Sequence, residues 1–186
     1  MPYILMKQQE GRRTFIKQLA LAGFAVQFGS ILSCTSDEAW PEAPELTNLT
    51  PQDIYAIAKI QSILFPSDGN GPDCDELHSM QHVIWTLSIE KDLEEKYKSD
   101  LEAFQLMWKE HLNIDYRDAD EQTWKSFVSI ASQHSNTKIW ISWNLNLILE
   151  SLSLDPIYGI NSNDSGWKWL EHQPGYPRPN NYTKFK

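Results

Sequence analysis

The eighteen residues Thr137–Leu154, "TKIWISWNLNLILESLSL", decide the fold class of this chain, because they can be read in two ways. Apolar residues at 139, 141, 143, 145, 147 and 149 alternate as in a strand, whereas Trp140, Trp143, Leu147, Ile148 and Leu152 line one face of a helix. Strands average about five or six residues, and eighteen is an ordinary length for a buried helix. The segment is therefore expected to be helical, and with it the whole domain becomes all-α.

Working outward, the neighbouring segments carry the same period. Thr50 followed by Pro51 and Asp53 reads as a helix start with Thr50 as N-cap. Ile54, Ile57, Ala58, Ile60, Ile63 and Leu64 then form an apolar face that ends before Pro66. Asp75 is expected to cap a helix through Leu77, Met80, Val83, Ile84, Leu87 and Ile89. The charged run "EKDLEEKYKSD" reads as a solvated face or a helix junction leading to Leu101, Phe104, Leu106, Met107, Trp108 and Leu112. Asp118 or Asp120 starts a further helix through Trp124, Phe127, Val128 and Ile130 to about His134. The expectation is one compact all-α domain of about five helices, spanning residues 50–186 and closed by a long ordered carboxyl-terminal loop. The tryptophans within helical patterns, at 85, 108, 124, 140 and 143, are expected in the core.

Composition narrows the function. Of 16 basic and 25 acidic residues, the first 33 positions hold four basic and one acidic, leaving 12 against 24 in the remainder. Such an acidic surface repels phosphate backbones, so nucleic acid is not an expected partner. The amino terminus, residues 1–33, reads as an export signal. Arg12-Arg13 followed by Phe15 and Lys17 resembles a twin-arginine translocation signal, and the apolar stretch Leu19–Leu32 is shorter than the roughly 20 residues a spanning helix needs. "ILSC" resembles a lipobox that would place a lipid on Cys34, with residues 34–49 as an acidic tether.

Chemical motifs are sparse. No Cys-x-x-Cys-His, paired Cys-x-x-Cys, Gly-x-Ser-x-Gly or Walker loop occurs, and Gly69-Asn70-Gly71 lacks the strand and third glycine of a dinucleotide fingerprint. Cys74, His78 and His82 recur every four residues and form a weak metal-ligand candidate, against the reading of ordinary surface or core histidines.

The carboxyl-terminal stretch Asp155–Pro179, "DPIYGINSNDSGWKWLEHQPGYPRP", is different in kind. Asp155-Pro156 stops the preceding helix, Gly159 and Gly166 permit positive φ, and Pro174-Gly175 suits a type II turn. Trp167 and Trp169 read as ring anchors. With Tyr176 they could alternatively form stacking faces for a sugar, as in a stand-alone carbohydrate-binding lipoprotein.

The residues Asp155, Pro156, Tyr158, Gly159 and Asn161, then Gly166-Trp167 and Pro174-Gly175, resemble the signature of the gluconate 2-dehydrogenase subunit 3 family, Asp-Pro-x-Tyr-Gly-Gly-Asn followed by Gly-Trp and a Pro-Gly turn. Ile160 stands where that family has its second glycine. The resemblance extends to the "LFPSDGNGP" loop and the twin-arginine leader. It implies an accessory, non-catalytic small subunit of a periplasmic FAD-dependent oxidoreductase. The FAD would sit on a large glucose-methanol-choline-type flavoprotein, and electrons would leave through a cytochrome c or another acceptor. No cofactor is implied on this chain, the membrane is reached through Cys34, and the carboxyl-terminal loop is expected to face the partner.

Overall fold

A computed structural model describes residues 46–175. The leader residues Arg12, Arg13, Phe15 and Lys17, together with Cys34, the tether up to residue 45 and Tyr176, lie outside the described residues. Those described contain six α-helices and no strand: α1 (Pro51–Leu64), α2 (Ser79–Ile89), α3 (Lys91–His111), α4 (Glu121–Ala131), α5 (Ser135–Ser153) and α6 (Ser165–Leu170). Three single 3₁₀ turns, Tyr116–Asp118, Pro156–Tyr158 and Ser162–Asp164, complete the path. No described helix is long and apolar enough to cross a membrane.

The stretch that was ambiguous in sequence is the central helix. α5 packs along α3 and also touches α1, α2 and α6. Contact on several sides explains the double period: Trp140, Ile141, Leu145, Leu147, Ile148 and Leu152 are all buried and together occupy more than one face. A helix wrapped by neighbours does not need a single apolar stripe.

The core is aromatic at one end. Trp108 and Trp124 lie 4.3 Å apart between ring centroids, Phe104 and Trp140 4.7 Å, and Trp108 and Phe127 4.8 Å. Both indole N–H groups are used to hold the chain between α3 and α4: Trp108 Nε1 donates to the Ile114 carbonyl at 2.9 Å and Trp124 Nε1 to the Tyr116 carbonyl at 3.2 Å. Buried tryptophans need a partner for that group, and here the partner is the connecting loop. Trp85 and Trp143, also expected in the core, are only half-buried.

Two of the three helix starts expected from the sequence follow the local capping chemistry. Thr50 caps α1 through a reciprocal capping box with Asp53, and Asp120 caps α4 through the Thr123 N–H at 2.7 Å. Asp75, however, caps nothing. Asp73 instead accepts from the N–H groups of Asp75 and Glu76 at 3.0 and 2.9 Å, and the chain turns through His78, in the left-handed region at φ 53°, before α2 begins at Ser79. The charged run is divided at Glu90, where α2 ends and α3 begins, and Ala58 is exposed rather than on the buried face of α1.

The domain also starts slightly earlier than Thr50. Leu49 is buried in the core. Asn48 donates to the buried Glu94 carboxylate from its backbone N–H and from Nδ2, while Lys98 Nζ donates to its carbonyl at 2.8 Å. The chain is thus pinned to α3 three residues before the first helix.

Candidate functional site

The two loop segments that carry the family resemblance, "LFPSDGNGP" and "DPIYGINSNDSGWKW", meet in space and form one junction. Its centre is Asn161, wholly buried and held at φ 56° and ψ 51°, a left-handed conformation that asparagine tolerates better than most residues. The carbonyls ending a helix have no partner within it. At the end of α5 the Asn161 Nδ2 donates to the carbonyls of Leu152 and Leu154 at 3.3 and 3.0 Å. Trp167 Nε1 donates to the carbonyl of Ser153 at 2.8 Å. Two side chains therefore cap three consecutive carbonyls.

The same asparagine also organises the return of the chain. Its Oδ1 accepts from the Gly166 N–H at 2.6 Å, and its backbone N–H donates to the Leu77 carbonyl at 2.9 Å. Asp155 accepts from the Ile157 N–H at 3.0 Å, shaping the 3₁₀ turn that Gly159 closes at φ 80°. Asn163 and Asp164 are left-handed as well, which accounts for the Asn/Asp-rich composition. The long loop expected here is thus a string of tight turns ending in the short helix α6.

Glycine has two separate uses in the junction. Gly166 does not adopt positive φ. It lies in α6, where a Cβ would stand 2.5 Å from the Leu152 carbonyl oxygen and 2.8 Å from Asn161 Oδ1. Gly71 plays the same part in the other segment, since a Cβ there would meet the Trp169 indole at 2.6 Å. Trp169 Nε1 donates to the Asn70 carbonyl at 2.5 Å and its ring meets Phe65 edge-on at 6.1 Å. Pro174 and Gly175 form no type II turn, because Gly175 is not at positive φ.

Trp167, expected to face a partner, points inward and is 5% exposed. It cannot offer a face to a sugar ring, and Trp169 is half-buried against the "GNG" loop. What the motif does present outward is Tyr158, 44% exposed and stacked on Trp85 at 6.3 Å, together with Leu170, 41% exposed. Six residues past the first segment, His78 Nδ1 contacts the Gly159 carbonyl at 2.8 Å.

Cys74, His78 and His82 are directed to three different places. The Cys74 thiol is buried, with the Gln61 carbonyl at 3.0 Å as acceptor for its single proton and the Phe65 carbonyl at 3.5 Å beside it. His78 serves the Gly159 carbonyl. His82, buried, pairs through Nε2 with Glu150 at 3.0 Å. Their four-residue spacing fails to make a ligand set because Cys74 and His78 precede α2, so only His82 follows helical geometry. Among the described residues no group of three or more His, Cys, Asp or Glu side chains converges as a metal site.

Beneath the junction runs a groove of about 460 Å³ between α1 and the start of α2, lined by Gln61, Phe65, Asp73, Asp75, His78 and Ser79 among others. Sequence reasoning passed over Gln61. The available signal was a polar residue one turn after Ile57, on the buried face of α1. No protein-family model matches the chain, and no curated protein or solved structure proves similar to it.

Proposed function

We propose that this chain is the accessory, non-catalytic small subunit of a periplasmic FAD-dependent dehydrogenase of the gluconate 2-dehydrogenase type. It escorts a large flavoprotein through twin-arginine export, stabilises it and tethers it through a lipid on Cys34. The supporting observation is the junction itself. Trp169 in one segment rests on Asn70 and Gly71 in the other, about a hundred residues away, while Asn161 and Gly166 hold the turn that delivers it. Residues of the resemblance that are joined in the fold act as one structural unit, which supports the reading.

The chemistry of the unit fits a structural role. Asp155, Asn161 and Trp167 each hold backbone groups, so none is placed as a nucleophile, base or ligand. The outward pair Tyr158 and Trp85 offers the partner an aromatic contact of the kind enriched at interfaces. On this reading FAD and substrate belong to the flavoprotein, and electrons pass to a cytochrome c or another acceptor without crossing this chain.

Affinity purification of a tagged copy from membranes tests the proposal. A flavin-containing chain should accompany it in fixed proportion, and Tyr158→Ala should reduce recovery of that chain while leaving the tagged protein folded. Recovery of the tagged protein alone, from cells that express their flavoprotein dehydrogenases, would remove the basis for this function.

A further inference from the structure

The loop that receives Trp169 contains the pair Asn70-Gly71, and that pair carries chemistry of its own. The backbone nitrogen that follows an asparagine can attack the side-chain amide carbon, and glycine at that position puts no side chain in the way and lets the backbone turn. Asn70 is exposed, and its side-chain amide makes no hydrogen bond to another described residue. No other asparagine of the chain precedes a glycine.

The junction clamps the bond that this reaction has to turn. Trp169 Nε1 donates to the Asn70 carbonyl at 2.5 Å, and the indole lies so close to Gly71 that a Cβ there would stand 2.6 Å from Nε1 and 2.8 Å from Cδ1. Asp68 Oδ1 accepts from the Asn70 N–H at 2.9 Å. Bringing the Gly71 nitrogen over the Asn70 side chain rotates the peptide plane between them, which takes the carbonyl off its donor and drives Gly71 against the ring. The same contact demands glycine at 71, so the latch itself requires the neighbour that makes Asn70 labile. Residues 66–70 are exposed, and a segment with so few buried contacts opens locally at small cost.

We propose that Asn70-Gly71 is a self-modification site gated by the junction. While the junction is closed, Trp169 keeps Asn70 intact. When it opens, the Gly71 nitrogen loses its proton to solvent and bonds to Asn70 Cγ, and Nδ2 leaves as ammonia with a proton from water, giving a succinimide. Water then opens either of the ring C–N bonds at Gly71, yielding aspartate or isoaspartate, with nothing oxidised or reduced. Isoaspartate threads the side-chain methylene through the main chain, so the groups that the indole meets at positions 70 and 71 are driven apart. The isoaspartyl chain cannot relatch and is a permanent record of opening. This site needs no partner and does not depend on assembly with a flavoprotein.

The test follows the purified full chain in mildly alkaline buffer by peptide mapping, reading the mass gained at Asn70 when its amide becomes an acid. Isomerisation of the neighbouring Asp68-Gly69 pair changes no mass and does not interfere. The free peptide Leu64–Asp73 supplies the ungated rate. Trp169→Phe, which keeps a ring but loses the donor, should react about fivefold faster than wild type, the effect of one net hydrogen bond on the closed state. Native wild type should be slower than the peptide by at least that factor, a comparison that stands even where the variant fails to fold. Equal rates for native wild type and peptide, or an unchanged rate in a folded Trp169→Phe, would overturn the gating, and a peptide that gains no mass would overturn the site. The ¹⁵N-labelled isoaspartyl form, separated chromatographically, should show the Trp169 indole N–H resonance displaced; an unmoved resonance would overturn the loss of the latch.

Discussion

At the scale of single residues, Asn161 combines roles that no other side chain can combine. It must tolerate a left-handed backbone, donate to the Leu152 and Leu154 carbonyls, and accept from Gly166. Asn161→Ala leaves those groups buried and unpaired, and should lower stability by about 3 kcal/mol. Asn161→Asp keeps the acceptor and the backbone preference but sets a carboxylate against two carbonyl oxygens, so it should not rescue the alanine variant. Urea unfolding of both variants measures this, and a near-wild-type Asn161→Asp would show that the donor half of the amide is dispensable. Gly166→Ala is predicted to cost about 2–4 kcal/mol, because its Cβ would meet backbone atoms of α5 that cannot turn aside. An unchanged thermal midpoint would refute that.

At the scale of elements, the pairing of α3 with α5 dominates, and its polar link is Tyr97, whose hydroxyl donates to Asn144 Oδ1 at 3.0 Å. Burial pushes the Tyr97 phenol well above its ordinary value, and it does the same to Tyr116. In the unfolded chain both ionise near pH 10 while the native state keeps their protons. The stabilisation is therefore complete below about pH 10 and is lost as pH rises further, with the unfolded state binding fewer protons. Urea midpoints should fall steeply above about pH 10. Tyr97→Phe should be less stable at neutral pH by about 1–3 kcal/mol, having stranded Asn144, yet lose stability more gently in alkali. Parallel slopes for the two proteins would contradict the assignment of Tyr97 to that transition.

The elements were also the most legible part of the sequence. Capping at Thr50 and Asp120 is local chemistry, and the structure bears it out. α5 could be recognised by length although its pattern was double. Asp75 misled because the capping role fell to Asp73, two residues earlier, and the backbone of His78 had already left helical geometry. The junction was legible in composition but not in arrangement. Asn, Asp and Gly announced turns there, whereas the inward course of Trp167 and the close approach of Gly166 depend on α5, which no local rule includes. Gln61 could be noticed only once its partners were known.

For the whole molecule, the proposed escort role makes a prediction about transport. Replacing Arg12 and Arg13 together by lysine should leave this chain and its flavoprotein in the cytoplasm, read by fractionation and flavin fluorescence. Normal periplasmic arrival of the flavoprotein would separate its export from this leader. The junction bears on the same process through the order in which it is built. Trp169 reaches back 99 residues to Asn70, and His78 reaches 81 residues forward to Gly159. Contacts so distant in sequence close late and slow the final step of folding. Until Asn161 and Trp167 have been synthesised the end of α5 lacks its caps, and until Trp169 follows the "GNG" loop has no indole to rest on. The segment made later is thus the latch on the one made earlier, and a chain that displays a closed junction has brought the two ends of the described helices together.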